Sequence, residues 1–162
     1  MNKIVNSIRE AIILSGLKDG MTVSFHHHLR NGDYVLNMVM EEISNLGIKD
    51  ITVNASSLFD VHMPLISHIE RGVVTKVCAN YISASLGKMF SAGIMGKPIE
   101  FRTHGGRPCD IASGRTPIDI AFIAAPTADD MGNCSGKYGS SACGSLVQAT
   151  KPHLCKIAIL SL

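Results

Sequence analysis

Short apolar runs alternate along the chain with segments in which apolar residues recur at helical spacing. The apolar runs predict β-strands over residues 21–25, 51–55, 73–79, 99–103, 118–124 and 156–162. The segments with helical spacing predict helices over residues 2–15, 34–46, 64–71, 84–93, 108–113 and 142–149. Asp33 is a suitable cap for the second helix, and Pro64 a suitable start for the third. This alternation predicts an α/β fold with a mainly parallel sheet and helices on both faces.

The polar segments that follow the strands are expected to meet at one edge of the sheet. These segments cover residues 26–32, 54–60, 80–83, 104–107 and 125–139. Carboxyl ends of parallel strands share an edge, and ligands of such folds bind beyond those ends. The topology therefore predicts where a ligand would bind but does not identify the ligand.

Length and composition favour one globular domain, residues 1–162, in a cytoplasmic protein. Apolar residues make up 46% of the chain and charged residues 17%, which argues against disorder. The net charge of +2 is too small for a nucleic-acid interface, and no apolar run reaches the ~18 residues of a membrane span. Arg9 and Glu10 interrupt the apolar residues near the N-terminus, so we expect no signal peptide and reduced thiols. The five cysteines contain no Cys-x-x-Cys pair, so no structural zinc is expected. The low charge content favours an oligomer, and the apolar strand at the last residues favours a piece of a longer polypeptide.

Three adjacent histidines, His26, His27 and His28, follow the first predicted strand. Successive side chains in extended backbone alternate faces, so at most two of them could contact one ligand. Neutral imidazole donors and oriented N–H groups could polarise a carbonyl or bind a phosphate. A metal site is not expected, because no His-x-x-x-His pair supplies further ligands. A solvated polar loop is the alternative.

A second candidate segment, residues 104–107, follows the fourth predicted strand and reads His-Gly-Gly-Arg. Its two glycines allow the backbone to approach a ligand closely and expose N–H groups. Arg107 could pair with a carboxylate or phosphate, and a helix that begins at Pro108 would favour an anion. The segment predicts an anion or thioester site, with an ordinary turn as the alternative.

The remaining loops add weaker candidates for ligand contact. Ser56 and Ser57 follow the second predicted strand, and Asn133 lies in a loop rich in Gly, Ser, Asp and Asn. The residues before Asn133 lack the spacing of an EF-hand, so calcium is not expected there. Cys143 could begin a helix that lowers its pKa, although a structural cysteine is the commoner case.

Several of these segments together resemble the N-terminal part of the citrate lyase alpha subunit. The similarity is carried by residues 18–34, 102–107, 111–114, 118–122 and 143–146, and it extends over about residues 10–162. The resemblance implies a CoA-transferase-like α/β fold, of which this chain would form half of a two-domain subunit.

The resemblance also implies acyl transfer on a thioester. The family's alpha subunit exchanges acetyl for citryl on an acyl-carrier protein, and acetate is released. The implied partners are citrate, a beta subunit that cleaves the citryl thioester, and a gamma subunit that carries a CoA-derived group. The thioester is a substrate, and no bound cofactor or metal is expected. Related CoA-transferases use a nucleophilic glutamate that aligns with no residue here, so we expect it outside this chain and the isolated chain to be inactive.

Residue roles follow from the same resemblance. His26, His27 and His28 stand where CoA-transferases have a glycine-rich loop that polarises the thioester carbonyl. Arg30 and Arg107 are candidate clamps for citrate. The other substrate-binding candidates are Ser56, Ser57, His104, Gly105, Gly106 and Asn133. Two further classes of function stay open: a noncatalytic domain that binds a small ligand such as a phosphosugar, and an assembly module.

Overall fold

The computed structural model describes residues 3–26, 31–135 and 137, together with the backbone of a strand at 156–161. Helices α1 to α5 are Ile8–Ser15, Val35–Asn45, Leu65–Glu70, Ala84–Ser91 and Gly106–Ala112. Strands β1 to β5 are Thr22–Phe25, Ile51–Ala55, Val74–Ala79, Glu100–Phe101 and Ile120–Ala125. The remaining strands, β6 to β8, are Thr127–Ala128, Cys134–Ser135 and Lys156–Ser161. A short 3-10 helix, Asp60–His62, precedes α3.

One parallel sheet contains the strands in the order β4-β3-β2-β1-β5-β8. From β1 the chain adds strands outward as far as β4, and then returns to add β5 and β8 on the other side of β1. The direction of winding therefore changes between β1 and β5. In open α/β sheets such a switch point leaves a crevice at the carboxyl ends of the strands. This sheet confirms the fold class that the sequence predicts.

Different helices cover the two faces of the sheet. Val23 and Val53 belong to an apolar cluster that includes buried residues of α1, α2, α3 and α4. On the opposite face Ile118 and Ala121 pack with Ile111 of α5. Helices therefore lie on both faces, as predicted. Burial of the apolar side chains drives this packing, since each fully buried Val, Ile or Leu contributes about 1.5–3 kcal/mol.

The face covered by α5 carries polar residues near the centre of the sheet. Ser24 lies opposite Asn54 in register, and Asn54 lies opposite Cys78. All three residues are buried. Buried polar groups need hydrogen-bond partners, so this row requires a polar side chain from the covering layer.

Two helices begin two or more residues away from the predicted positions, while α2 and α3 begin one residue later than predicted. The first was expected to begin at residue 2, but α1 begins at Ile8, because the Ser7 hydroxyl accepts a hydrogen bond from the Glu10 N–H at 3.1 Å and caps the helix. The fifth was expected to begin at Pro108, but α5 begins at Gly106. Proline has no N–H to pair, so the first helical turn accepts it without loss of a hydrogen bond.

The polar segment expected over residues 125–139 contains a β-hairpin in its described part, formed by β6 and β7. The helix expected over residues 142–149 lies outside the described residues. The strand expected over residues 99–103 is reduced to the two residues of β4. None of the helices in the described part of the chain is long and apolar enough to cross a membrane.

Candidate functional site

Residues at or just after the ends of β1, β2, β3 and β4 meet at the carboxyl edge of the sheet, and main-chain hydrogen bonds join them. The Ser56 N–H donates to the Phe25 carbonyl at 3.2 Å, and the Asn80 N–H donates to the Ser56 carbonyl at 3.2 Å. The Arg102 N–H in turn donates to the Ala79 carbonyl at 3.0 Å. The sheet ladder thus continues past the strand ends, so that the segments after β1, β2, β3 and β4 form one continuous edge.

Arg107 lies inside this edge and not on its surface. It is only 9% exposed. Its Nε donates to Asn54 Oδ1 at 2.9 Å, and its Nη2 donates to Ser24 Oγ at 2.7 Å. Arg107 is therefore the polar side chain that the buried row on β1 and β2 requires. The first turn of α5 directs it there.

The positive charge of Arg107 is buried without a carboxylate partner among the described residues. Both partners are neutral, and no ion pair within the described residues includes Arg107. Burial lowers its pKa to about 10, so the guanidinium is still protonated at neutral pH. Its third nitrogen, Nη1, has no hydrogen-bond partner in the described part of the chain. A buried cation in this setting favours the approach of an anion.

The turn before Arg107 is held by Thr103. The Gly106 N–H donates to Thr103 Oγ1 at 2.9 Å, and the Arg107 N–H donates to the Thr103 carbonyl at 3.0 Å. A Cβ added at Gly106 would lie 2.6 Å from Thr103 Oγ1, so a side chain there would displace the Thr103 hydroxyl from its hydrogen bond with the Gly106 N–H. His104 and Gly105 are exposed, and no heavy atom lies within 4 Å of a Cβ added at Gly105. The exposed part of the predicted His-Gly-Gly-Arg segment is therefore its first two residues.

The histidine segment leaves β1 beside the switch point. His26 is half-buried and lines a small cavity with Asp33, Ser57 and His62. His27, His28 and Arg30 lie outside the described residues. Of the serine candidates, Ser57 is half-buried, and Ser56 is buried.

His62 is a buried histidine that lies outside the predicted site residues. It is 2% exposed, and its Nδ1 accepts a hydrogen bond from the Phe59 N–H at 3.0 Å. The proton of the neutral ring is therefore on Nε2, which donates to the Asp33 carbonyl at 3.0 Å. Burial lowers the pKa of His62, in agreement with a neutral ring. His62 thus joins the segment after β2 to the end of the histidine segment.

Gly32 and Asp33 complete this junction. Gly32 has a φ of +88°, and an added Cβ would lie 2.7 Å from Val61 Cγ1 and 3.0 Å from His62 Cε1. Asp33 Oδ1 accepts a hydrogen bond from the N–H of Val35, the first residue of α2, at 3.0 Å, but the N-cap position is Tyr34 and not Asp33 as predicted. The chain therefore enters α2 in direct contact with the residues after β2.

Asn133 forms its described hydrogen bonds with Asp129 and not with the residues above. Its side-chain Nδ2 donates to Asp129 Oδ2 at 2.8 Å, and its N–H donates to Asp129 Oδ1 at 2.8 Å. These hydrogen bonds also lower the pKa of Asp129. Within the described residues the Asn133 amide is thus engaged in the turn of the β6–β7 hairpin.

Cys78 and Glu100 lie near the edge and contact each other. Burial, assisted by Glu100, raises the pKa of Cys78 to about 11. The hydrogen bond from Lys76 lowers the pKa of Glu100, which also pairs with Arg102 at 2.8 Å. Cys143 lies outside the described residues. No group of three or more His, Cys, Asp or Glu side chains within the described ranges could hold a metal ion.

Comparison with known proteins gives a consistent family. The family described as citrate lyase, alpha subunit, matches residues 1–153. The citrate lyase alpha chains of Haemophilus influenzae (strain Rd) and Escherichia coli (strain K12) are 47% and 44% identical over 144 residues, which are 89% of this chain. Those residues are 29% and 28% of the two relatives, so the chain spans less than a third of their length.

One solved structure agrees with these sequence matches. It is the alpha subunit of citrate lyase from Streptococcus mutans, in complex with citrate. The two structures superimpose with a TM-score of 0.93 and 45% sequence identity. The match covers 99% of this chain and 32% of the Streptococcus mutans chain.

Proposed function

Because this chain belongs to the citrate lyase alpha-subunit family, we propose that it forms one part of a citrate CoA-transferase site, in which acetyl on a CoA-type thioester is exchanged for citryl. The observation that carries the proposal is the Arg107 guanidinium, a buried cation near the β1–β5 switch point that no described carboxylate neutralises. Citrate carries three carboxylates, and the Streptococcus mutans relative was solved with citrate bound. The positive charge of Arg107 is therefore complementary to the negative charge of citrate.

Arg107 has a limited number of donors left for a substrate. Nε and Nη2 are engaged with Asn54 and Ser24, so Nη1 is the nitrogen that would meet a citrate carboxylate. A hydrogen bond between charged groups contributes about 1.5–3 kcal/mol, more than a neutral one. His104, Gly105 and Gly106 would line the same carboxylate site, and Arg30 would act as a second clamp.

The histidine segment would serve the thioester half of the reaction. At most two of His26, His27 and His28 would donate hydrogen bonds to the thioester carbonyl, where negative charge develops when the acyl group is attacked. Each preorganised donor of this kind lowers the activation free energy by roughly 3–4 kcal/mol. Ser56, Ser57 and Asn133 are proposed as further polar contacts to the substrate.

The proposed reaction needs groups beyond this chain. Acetyl-carrier and citrate would give citryl-carrier and acetate, through a glutamate from the part of the family that this chain does not match. We propose that residues 1–162 form one domain of that subunit and have no turnover alone. The proposed partners are the beta subunit and the acyl-carrier gamma subunit, in a cytoplasmic oligomer.

Turnover and binding together test this proposal. The purified 162-residue chain would be incubated with acetyl-CoA and citrate, and citryl-CoA would be measured by mass spectrometry. The binding of each ligand would be measured by calorimetry. We expect citrate binding without turnover, and turnover once the remaining part of the Escherichia coli alpha chain is added.

Each other outcome contradicts a specific part of the proposal. Citryl-CoA formed by the chain alone would place a nucleophile among its thirteen acidic residues and overturn the division of the site. Binding of a phosphosugar without binding of acetyl-CoA or citrate would favour a noncatalytic domain. Concentration-dependent self-association without binding of any of these ligands would favour an assembly module.

A further inference from the structure

Asn80 holds the main chain just before the turn that carries Arg107. Its side-chain Nδ2 donates to two consecutive carbonyls, that of Arg102 at 2.9 Å and that of Thr103 at 2.8 Å. Thr103 is also the residue that closes the turn, through its hydrogen bonds with the N–H groups of Gly106 and Arg107. One amide group therefore fixes the two residues on which this turn is built.

Ordinary strand pairing cannot supply this restraint. The edge strand β4 is two residues long and pairs only Glu100 with Cys78 and Phe101 with Ala79. Past those pairs, the Arg102 N–H makes one further ladder hydrogen bond, to Ala79. The turn itself begins at Thr103, beyond the end of the ladder. Side chains therefore set its position relative to the sheet: Asn80 at the start of the turn, and Arg107 at its end through Ser24 and Asn54.

Asn80 also links this turn to the segment after β2. Its own N–H donates to the Ser56 carbonyl, and Ser56 is in turn bonded to Phe25 at the end of β1. The side-chain Oδ1 of Asn80 is buried without a hydrogen-bond partner among the described residues. The amide therefore acts only as a donor, and an oxygen in place of Nδ2 would face two carbonyl oxygens.

We propose that Asn80 is a positioning residue for the Thr103–Arg107 turn, which it holds in the orientation that an incoming citrate carboxylate requires. The inference rests on the proposed function for the ligand, but the geometry of the turn can be measured without any ligand. Asn80 does not touch the substrate in this proposal. It acts through the carbonyls of Arg102 and Thr103.

The test compares two matched asparagines in the 162-residue chain. Asn37 is the control, because its Nδ2 donates to the Val61 carbonyl at 2.8 Å and its Oδ1 is likewise buried without a partner. The variants are Asn80→Asp and Asn37→Asp. Asn80→Ala removes the donors without adding charge, and so keeps the test possible if Asn80→Asp does not fold.

Three measurements separate positioning from general loss of stability. These are amide hydrogen exchange at Gly106 and Arg107, the NMR resonance of the His104 ring, and citrate affinity by calorimetry. For the Asn80 variants we expect exchange about tenfold faster, a shifted His104 resonance, and citrate affinity roughly tenfold weaker. For Asn37→Asp we expect a comparable loss of thermal stability with unchanged exchange at Gly106 and an unchanged His104 resonance.

The outcomes distinguish this inference from the proposed function. Unchanged exchange at Gly106 in both Asn80 variants would overturn the positioning role, whatever the ligand does. Faster exchange with unchanged citrate affinity would also overturn it, because the turn would then not serve citrate. If the unmodified chain binds no citrate while the Asn80 variants still loosen the turn, the proposed function fails and Asn80 is left with a structural role only.

Discussion

His62 and Arg107 are both basic side chains buried at the carboxyl edge of the sheet, but burial has opposite consequences for their charge. Burial lowers the pKa of His62 from an ordinary value of 6.5, and both ring nitrogens are occupied by main-chain groups of Phe59 and Asp33. Burial also lowers the pKa of Arg107, but only to about 10, and the cation is held by Ser24 and Asn54.

The difference between the two residues indicates which side of the edge binds the ligand's charge. A histidine can avoid the cost of a buried charge by releasing its proton, and its two nitrogens are then used to hold the chain together. An arginine cannot do this at neutral pH, so its burial keeps a cation in place. We therefore expect His62 to stabilise the fold of the chain at this edge, and Arg107 to bind the anionic ligand.

Substitution of Arg107 should have the largest effect. Arg107→Met retains an unbranched chain in place of the aliphatic part of Arg107 but removes the positive charge. We therefore expect citrate affinity to fall roughly 10- to 150-fold, which corresponds to the loss of one charge-assisted hydrogen bond. The variant also leaves Ser24 Oγ and Asn54 Oδ1 buried without partners, at about 1–3 kcal/mol each. Release from the cost of a buried charge partly offsets that loss of stability.

The matched control for this substitution is Arg9→Met. Arg9 is half-exposed and pairs with Glu42 at 3.4 Å on the surface, so its loss should change the free energy of unfolding by less than about 1 kcal/mol. Calorimetry with citrate and urea denaturation would measure both variants. Citrate affinity in Arg107→Met equal to that of the unmodified chain would exclude Arg107 from the site.

On the His62 side, the next largest effect is expected at Gly32. Gly32→Ala places a side chain at a φ of +88°, which costs about 1–2 kcal/mol, and brings its Cβ to 2.7 Å from Val61 Cγ1. Gly72 is the matched control, because its φ is +72° and nothing lies within 4 Å of an added Cβ. We expect Gly32→Ala to lose roughly 1–3 kcal/mol more than Gly72→Ala in urea denaturation. Equal losses would show that close packing against the 3-10 helix contributes nothing.

The elements of the sheet could be predicted from the sequence because their signal is local. The apolar run at residues 51–55 matches β2 residue for residue. The order of the strands, and with it the switch between β1 and β5, was not predicted, because it depends on which strands pair. Helix starts were less predictable. The start of α5 at Gly106 depends on a hydrogen bond to the Thr103 side chain, and the strong local signal of Pro108 pointed two residues too late.

The candidate site could be located from the sequence, but its internal contacts could not. Arg107 was selected for its charge and neighbours, whereas its contacts with Ser24 and Asn54 depend on how β1 and β2 pair in register. The polar positions within those two apolar runs were the available signal. His62 has no comparable local signal, since its partner at Asp33 lies 29 residues earlier in the chain.

The smallest expected effect concerns pH, and it separates the two sides most directly. Folding lowers the pKa of His62, so the unfolded chain takes up a proton more readily, and the His62 contribution to stability falls as the pH drops below about 6.5. His68 behaves likewise, because burial and the neighbouring Arg71 lower its pKa, while Glu41 opposes this shift. Arg107 stays protonated throughout this pH range, so it should not contribute to the slope of the free energy of unfolding against pH.

These slopes can be separated by comparing free energies of unfolding at pH 7.5 and pH 5.5. Gln at position 62 can still donate to the Asp33 carbonyl but does not titrate, so His62→Gln should lose less stability on acidification than the unmodified chain. His68→Gln should remove its own share of the slope, and Arg107→Met should leave the slope unchanged. A slope in His62→Gln equal to that of the unmodified chain would mean that His62 does not titrate on unfolding. A changed slope in Arg107→Met would mean that the buried cation shifts the pKa of nearby groups, so that the two sides are electrostatically coupled.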